Sequence, residues 1–444
     1  MSTGRDSVAV AYGIDDCPPL AEAIPLGLQH LVVMLLGNIT PPLLIAGGLG
    51  LATGQTALLL QAALVMAGLA TIVQSYPVGP VGGRIPVVMG TSIAFVGGAI
   101  GIGNRYGLEA VMAACLVGCV VEIVLGFSIV RLRWVFPPLV NAIVVMLIGL
   151  TLIPVGMDYA AGGVRAGDYG SWRNLAIAAV VFLVTLVLNQ WGRGILQHAS
   201  MLVGVALGYG VALGLGKVSF EAIGEAGWFA LPRPLAIGLD FHWQAILIMA
   251  FIYVISTMET VGDIAGTLAS VGREPTDREL KGGLVADGVM SGLAAIFGAF
   301  PNTSYSQNVG LVNFSGVVSR HITAITGGFL ILLGVVPKVG ALFATIPPPV
   351  IGGGGLIMFA MIFASGASII QRSVTLHRRN MVILAVSVGL GLGVEMRPRV
   401  IQHFPEFMQT LFGSGLIVGG VVALVLNILL RAEPRVAESR IGSS

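Results

Sequence analysis

Hydrophobic positions in this chain gather into long unbroken runs, not into the one-sided stripes of a soluble amphipathic helix. Such runs lie near 27–48, 55–75, 107–130, 135–156, 173–192, 195–216, 243–266, 282–300, 322–343, 348–371, 380–394 and 407–430. About 20 mostly apolar residues suffice for a helix to cross a hydrocarbon core, so these twelve read as spans. Two further segments, 84–103 and 301–319, are shorter and open on β-prone or polar residues. Within 298–320, Phe300-Pro301-Asn302 reads as a stop and 303–307 as polar and β-prone, and a helix is predicted only from Asn308 to about Val318. At about 1.5 Å per residue that piece cannot cross a core of roughly 30 Å. Non-helical backbone survives at membrane depth only where protein buries it or where it lines a watery cavity. A broken helix at a binding site is therefore predicted, as in transporters.

Composition agrees. Of 444 residues, 56% are hydrophobic and 10% charged, with a mean hydropathy of +0.94, where a soluble domain carries about 25% charged residues. This excludes an ordinary soluble enzyme. A net charge of +2, with no basic tract, gives no reason to expect nucleic acid as a partner. Cys17, Cys115 and Cys119 lack metal-ligand spacing, and the latter pair reads as small packing residues. The acidic first 26 residues lack the basic and apolar regions of a cleaved signal.

Counting each broken segment as one crossing gives fourteen spans, with both termini on one side. An inside N-terminus leaves 15 Lys and Arg inside against 8 outside, as the positive-inside rule requires of cytoplasmic ends. Arg131 and Arg133 fall on the inner side, the loop 217–241 lies outside, and 272–282 is a short polar inner connection. The tail from Ala432 reads as disordered. Trp134, Trp172, Trp191, Trp228 and Trp243 fall near span ends or in a loop, where indole rings favour the interface. An internal repeat is faintly visible. The run from Phe136 to Val140 echoes that from Pro347 to Ile351, and Gly90-Thr91-Ser92 echoes Asn302-Thr303-Ser304, at offsets of about 211 residues. Seven spans per half would invert the second half against the first and bring the two broken segments head to head at mid-membrane.

Ionisable groups inside spans are costly and so point to function. Glu259 and Asp263 stand four apart, sharing one helix face, where like charges favour holding a proton. The alternative is a pair satisfied by donors from neighbouring helices. Asp287 is isolated on its span, either a relay carboxylate or a buried acid held by hydroxyls of the broken helix. Glu122 reads as a structural tie toward Arg131 and Arg133. His30 is either a satisfied structural histidine or a proton-coupling group, and no partner makes it a metal site. His198, His242, His321, His377 and His403 read as interfacial. Gln307 and Asn308 open the second half-helix, and Gln307 carries the donor and acceptor that suit a flat ring edge of N–H and C=O groups. Two half-helix N-termini add backbone donors and positive dipole ends. Tyr305 suits an aromatic ring lying flat on it or packs between helices, Ser306 belongs to the same turn, and Ser92 and Ile93 hold the matching place in the first broken segment. These features alone lead to a secondary transporter for a small, flat, polar solute, with no cofactor, no metal and no enzymatic nucleophile–base cluster.

The run Gln307-Asn308-Val309-Gly310 to Ser315-Gly316 resembles the signature Q/E-N-x-G-x-x-x-x-T-R/K/G of the nucleobase–ascorbate transporters (nucleobase:cation symporter-2), with Ser315 for Thr. Glu259, Asp287 and Gln29-His30 match that family's eighth-span glutamate, ninth-span aspartate and first-span Q-H. The resemblance runs from about Pro19 to Leu430. It implies an all-α polytopic fold of fourteen segments in two inverted repeats of seven, with short strands plus half-helices in segments 3 and 10. It implies a core domain (27–130 and 243–343) and a gate domain (131–216 and 344–430), between cytoplasmic segments 1–26 and 431–444, and a homodimer formed through the gate. Glu259 and Gln307 would hold the nucleobase and Asp287 would serve proton coupling, in an elevator-type shift of core against gate. Gln307 and Asp263, where uracil carriers tend to have Glu and His, resemble the xanthine/urate branch, with a slight lean to urate. The expectation is a proton-coupled importer of urate or xanthine in the bacterial inner membrane. The alternatives are a uracil or other nucleobase symporter, or an anion exchanger of the same architecture.

Overall fold

A computed structural model describes residues 11–132 and 137–430, with the side chains of Asn313, Phe314, Glu406, Phe407 and Thr410 set aside. The expectations for residues 1–10, for Arg133, Trp134 and Phe136, and for the segment from 431 on lie outside the described residues.

The first part of the chain forms helices α1 (Leu20–Leu49) and α2 (Thr53–Ser75), strand β1 (Met89–Thr91), a 3-10 turn (Ile93–Phe95), α3 (Val96–Tyr106), α4 (Leu108–Leu132), α5 (Pro138–Ala160), α6 (Trp172–Trp191), α7 (Ile195–His198), α8 (Ser200–Gly214) and α9 (Glu221–Glu225). It continues with α10 (Trp243–Ala269), α11 (Asp277–Ile296), strand β2 (Asn302–Ser304), α12 (Ser306–Ser315), α13 (Arg320–Gly334), α14 (Pro337–Ala344), α15 (Pro348–Ser373), α16 (Arg378–Met396), α17 (Glu406–Phe412) and α18 (Gly415–Leu429). Among the described residues eight helices are long and apolar enough to cross a membrane, or nine if α13 and α14, bent by 81°, count as one broken span. Trp172 and Trp191 stand exposed at the two ends of α6, and Trp243 opens α10.

Several boundaries differ from those expected, each for a local reason. Helix α1 starts at Leu20, with Glu22 in its first turn on the positive end of the dipole, so part of 1–26 is already helical. The connection expected over 272–282 ends at Thr276. That hydroxyl accepts the Glu279 N–H while Glu279 accepts the Thr276 N–H, a capping box that starts α11 at Asp277. The runs 195–216, 322–343 and 407–430 are each two helices, the second broken before Pro337 and the third at Gly413-Ser414. Helix α12 begins at Ser306, two residues before the expected start, and stops where Gly316 turns left-handed (φ 67°).

The two broken segments meet. β1 and β2 pair antiparallel, Met89 opposite Ser304, Gly90 opposite Thr303 and Thr91 opposite Asn302. Around them, helices approach closely through small residues. A Cβ on Gly68 of α2 would come within 2.5 Å of the Gly327 carbonyl oxygen of α13, and one on Gly327 within 2.7 Å of the Gly68 oxygen. Gly149 and Gly352 do the same for α5 against α15, and Gly126 and Gly288 for α4 against α11. Cys119 packs on Gly292 of α11.

Outside the bundle, residues 11–16 strap the end of α12. The Ala11 N–H donates to the Gly316 carbonyl (2.9 Å), Val318 N–H to Tyr12 (2.8 Å) and Arg320 N–H to Ile14 (3.0 Å). The Asp15 carboxylate receives both Arg320 (2.7 Å) and Arg84 (3.2 Å), joining the flanks of both broken segments. Arg320, and then Arg84, hold this exposed carboxyl below the usual aspartate value.

Two outcomes follow. Gly68→Val should cost about 1–3 kcal/mol by overpacking, read as a lower melting temperature of the detergent-solubilised protein; an unchanged one contradicts the close approach. Asp15→Asn should make the strap sensitive to limited proteolysis. Because the folded-state pKa is depressed, the tie is intact above the usual aspartate value and lost as pH falls through the lower one, below about 4.

Candidate functional site

Backbone with no helical partners lies at the centre of the bundle, and polar side chains of otherwise apolar helices take it up. Asn38 of α1 accepts the Thr91 N–H (2.7 Å), and Thr71 of α2 accepts the Met89 N–H (2.9 Å). Gln74 accepts the Gly83 N–H (2.8 Å) and donates to the Gly283 carbonyl (3.3 Å). On the second strand, Ser291 of α11 accepts the Asn302 N–H (2.9 Å) and donates to its carbonyl (3.2 Å). None of these four helix residues stood out in the sequence. A polar residue within an apolar run was the available signal.

With the strands held, the half-helices begin beside each other at one cavity of about 430 Å³, within the size range of small-molecule sites. One wall is Gly37 of α1, Ile93, Glu259 of α10, Thr303, Tyr305, Ser306 and Gln307. The facing wall comes from α5, α6, α7, α8 and α15, with Thr185, Asn189, Gln197, His198 and Ser365 among apolar residues such as Met358 and Ile362. A larger cavity of about 720 Å³, around Gln61, Asp168, Asn174 and Lys217, shares no residue with the half-helices, so the site is assigned to the first.

The expected site residues divide into two sets. Glu259, Gln307, Ser306, Tyr305 and Ile93 line the cavity; Ser92, Asn308, His30, Asp263 and Asp287 do not. Glu259 Oε2 is buried with no hydrogen-bond partner among the described residues, and Gln307 stands open to the cavity. Tyr305 is buried, its hydroxyl donating to the Thr91 carbonyl (2.7 Å). Its ring fits because Gly37 and Gly90 lack side chains: a Cβ on Gly90 would sit 2.2 Å from the ring, and one on Gly37 3.0 Å. Ser92 was expected to present backbone groups. Its N–H instead donates to the Pro301 carbonyl (2.8 Å) and its hydroxyl is buried without a partner, because it joins the two broken segments behind the wall. Ile93 keeps that place at the cavity.

Asp263 accepts Ser304 Oγ (2.7 Å) and Ser306 Oγ (2.6 Å), gripping the residues on both sides of Tyr305. Asp287 accepts the Thr260 hydroxyl, and Thr260 contacts Thr303 (3.2 Å). His30 is buried against Asn308, whose amide atoms otherwise lack partners. Glu122 is not tied to the Arg131 end of its helix. Nine residues separate them, about 900° at roughly 100° per residue, which puts them on opposite faces; Glu122 faces Thr257 (3.5 Å) and Asp287. His198, expected at the interface, lines the cavity, and its neighbour Gln197 ties α7 to the end of α6 by donating to the Asn189 carbonyl (3.1 Å). Among the described residues no cluster of three or more His, Cys, Asp or Glu is placed to hold a metal ion.

Fold and site define a polytopic membrane carrier: a helical bundle whose broken helices start at a central cavity holding an unpartnered acid. The chain belongs to the Permease family, the nucleobase–ascorbate transporters, whose match spans residues 21–400. A candidate purine permease of Clostridium perfringens is 40% identical over 427 residues, covering 96% of this chain and 94% of that one. The Escherichia coli xanthine permease XanP is 35% identical over 441 residues (95% of each chain). The E. coli uric acid transporter UacT is 35% identical over 412 residues (92% of this chain, 86% of that one). In fold the chain is similar to the transmembrane domain of the cyanobacterial bicarbonate transporter BicA (TM-score 0.59, 14% identity, 92% and 97% covered). It is also similar to the murine anion transporter Slc26a9 in its inward-facing state (TM-score 0.63, 14% identity, 94% and 69% covered).

Since a Cβ on Gly90 would collide with Tyr305 and approach Asn38 Oδ1 to 2.9 Å, Gly90→Ala should displace the ring. Ligand binding by purified protein should weaken at least tenfold, a loss of about 1.4 kcal/mol, while insertion persists. Full affinity would contradict this account of the wall.

Proposed function

We propose that the protein is a proton-coupled symporter importing a purine, xanthine or urate, through the bacterial inner membrane. The observation that carries this reading is the shared wall: Glu259, with an unpartnered carboxyl oxygen, and Gln307 face one cavity at the start of the half-helices. Gln307 pairs with a ring edge of alternating N–H and C=O groups, Glu259 accepts an imide N–H, and the protonation of Glu259 is tied to loading. Tyr305 lies beside the ring, and the free N–H groups of Ser306 and Ile93 point their positive dipole ends at its carbonyl oxygens. Asp263 braces Tyr305 from behind, Asp287 serves coupling, and His30 and Asn308 support the turn. The purine class follows the relatives, which are named as xanthine, uric acid and purine permeases.

The elevator-type movement is part of the same reading. Most polar groups at the half-helices belong to 27–130 and 243–343, taken as the core, and the opposite wall to 131–216 and 344–430, taken as the gate. Movement of one against the other would carry the loaded wall across the membrane. Fourteen crossings in two inverted sevens, with cytoplasmic ends, also belong to the proposal. Reciprocal helix pairs support it: α4 on α11 and α13 on α2, α10 on α4 and α1 on α13, α6 on α8 and α16 on α18. An anion exchanger shares the architecture, but a carboxyl with no cation beside it suits an inorganic anion poorly.

The test is uptake of labelled xanthine, urate and uracil by membrane vesicles with and without a proton gradient. Gradient-driven accumulation of the purines is expected, and gradient-independent uptake overturns the coupling. Glu259→Gln should abolish accumulation. Gln307→Glu, by adding a buried charge, should raise the half-saturating concentration about tenfold or more; no change would remove Gln307 from the contact.

A further inference from the structure

Glu122 is fully buried in the middle of α4, and the proposed transport cycle so far gives it no task. Its Oε1 lies 3.5 Å from the Thr257 hydroxyl, whose single proton is directed to the nearer Tyr253 carbonyl (2.8 Å). Its Oε2 has no partner among the described residues. Asp287 of α11 is its mirror: equally buried, one oxygen on the Thr260 hydroxyl, Oδ1 without a donor. Helices α4 and α11 touch at this level, where a Cβ on Gly288 would come within 3.0 Å of the Ile123 nitrogen, so the carboxyl groups of the preceding residue on each helix face one another. Two ionised carboxylates have four acceptor oxygens and no donor, so contact between them requires a proton on one. The titratable groups facing them from their own and neighbouring helices are Glu259, Asp263, Tyr253, Cys115 and Cys119. None is a cation. An ionised pair here would have neither solvent nor counter-charge.

A hydroxyl path joins this pair to the cavity. Thr260 has one hydroxyl proton and directs it to Asp287, so its 3.2 Å contact with Thr303 must be one in which Thr303 donates. The order is Thr303, Thr260, Asp287, Glu122, and Thr303 lines the cavity beside Glu259. Each hydroxyl can pass a proton inward by accepting one and releasing its own.

We propose that Glu122 and Asp287 form a carboxyl–carboxylate pair that holds the coupling proton between them, supplied from the cavity through Thr303 and Thr260. This rests on the proton-coupled reading above and makes Glu122 a positioning and proton-holding residue, removed from the substrate. Only a proton moves: it leaves the cavity side, each O–H in the path breaks as the next forms, and one extra proton resides on the pair.

The test uses the full-length protein in proteoliposomes with a trapped pH dye and labelled xanthine. Wild type should move protons with substrate. Glu122→Gln, which keeps shape and a hydrogen bond to Asp287, should lower the uphill accumulation ratio about tenfold, a coupling loss of usual size. It should also flatten the pH profile of uptake while xanthine–xanthine exchange persists. A variant with wild-type proton flux and pH profile overturns the pair. Should wild type move xanthine without protons, it is the transport reading that fails. A second measurement does not depend on transport. Infrared difference spectra of wild type should contain a protonated-carboxyl stretch, shifted by deuterium, that both Glu122→Gln and Asp287→Asn remove or displace. A band indifferent to both substitutions refutes a shared proton.

Discussion

The structure depends on one constraint: backbone groups that leave helical geometry inside an apolar bundle must find other partners. Here the solution is a ladder three residues wide, Met89–Thr91 against Asn302–Ser304, completed by side chains from three helices. Asn38, Thr71 and Ser291 are polar residues in apolar surroundings because each ends a hydrogen bond that neither lipid nor water could supply. The ladder has a second effect. By pairing the strands antiparallel it sets the half-helices that follow them at one place, so their free N–H groups and side chains converge on one cavity.

Around this centre, close packing and polar satisfaction divide the work. Glycines at the crossings of α2 with α13 and of α5 with α15 let backbones touch, which fixes the bundle without large side chains. Room left by Gly37 and Gly90 receives the Tyr305 ring, and Asp263 then holds the serines on either side of it. The acids are thereby sorted by surroundings. Asp263 is satisfied by two hydroxyls and Asp287 by one, while Glu259 keeps an oxygen unpartnered beside the cavity. A group left unsatisfied in a buried site has most to gain from a ligand.

How much of this was legible can be judged residue by residue. Apolar runs, the stop at Pro301 and the short length and β-prone or polar opening of both segments marked the broken helices, because helix length against bilayer thickness is a one-dimensional property. Glu259 and Gln307 were legible because an acid within a span and an amide opening a short helix are anomalies wherever they occur. The start of α11 is written in the capping box of Thr276 and Glu279, but the polar stretch around them reads as loop. For Glu122 the nearest basic residues along the chain are a misleading guide. Helical phase places Arg131 on the other face and leaves the acid toward α10 and α11.

The sequence by itself determined the membrane class, the two interrupted segments and the acid and amide that line the cavity, because hydropathy, chain breaks and isolated polar residues act locally. Tertiary structure alone decided that Ser92 turns away while Ile93 reaches the cavity, that His198 and Gln197 form part of its far wall, and that Glu122 meets Asp287. The physical reason is that these outcomes depend on which helix faces which, and that follows from close packing among residues more than a hundred positions apart, a quantity no local pattern contains.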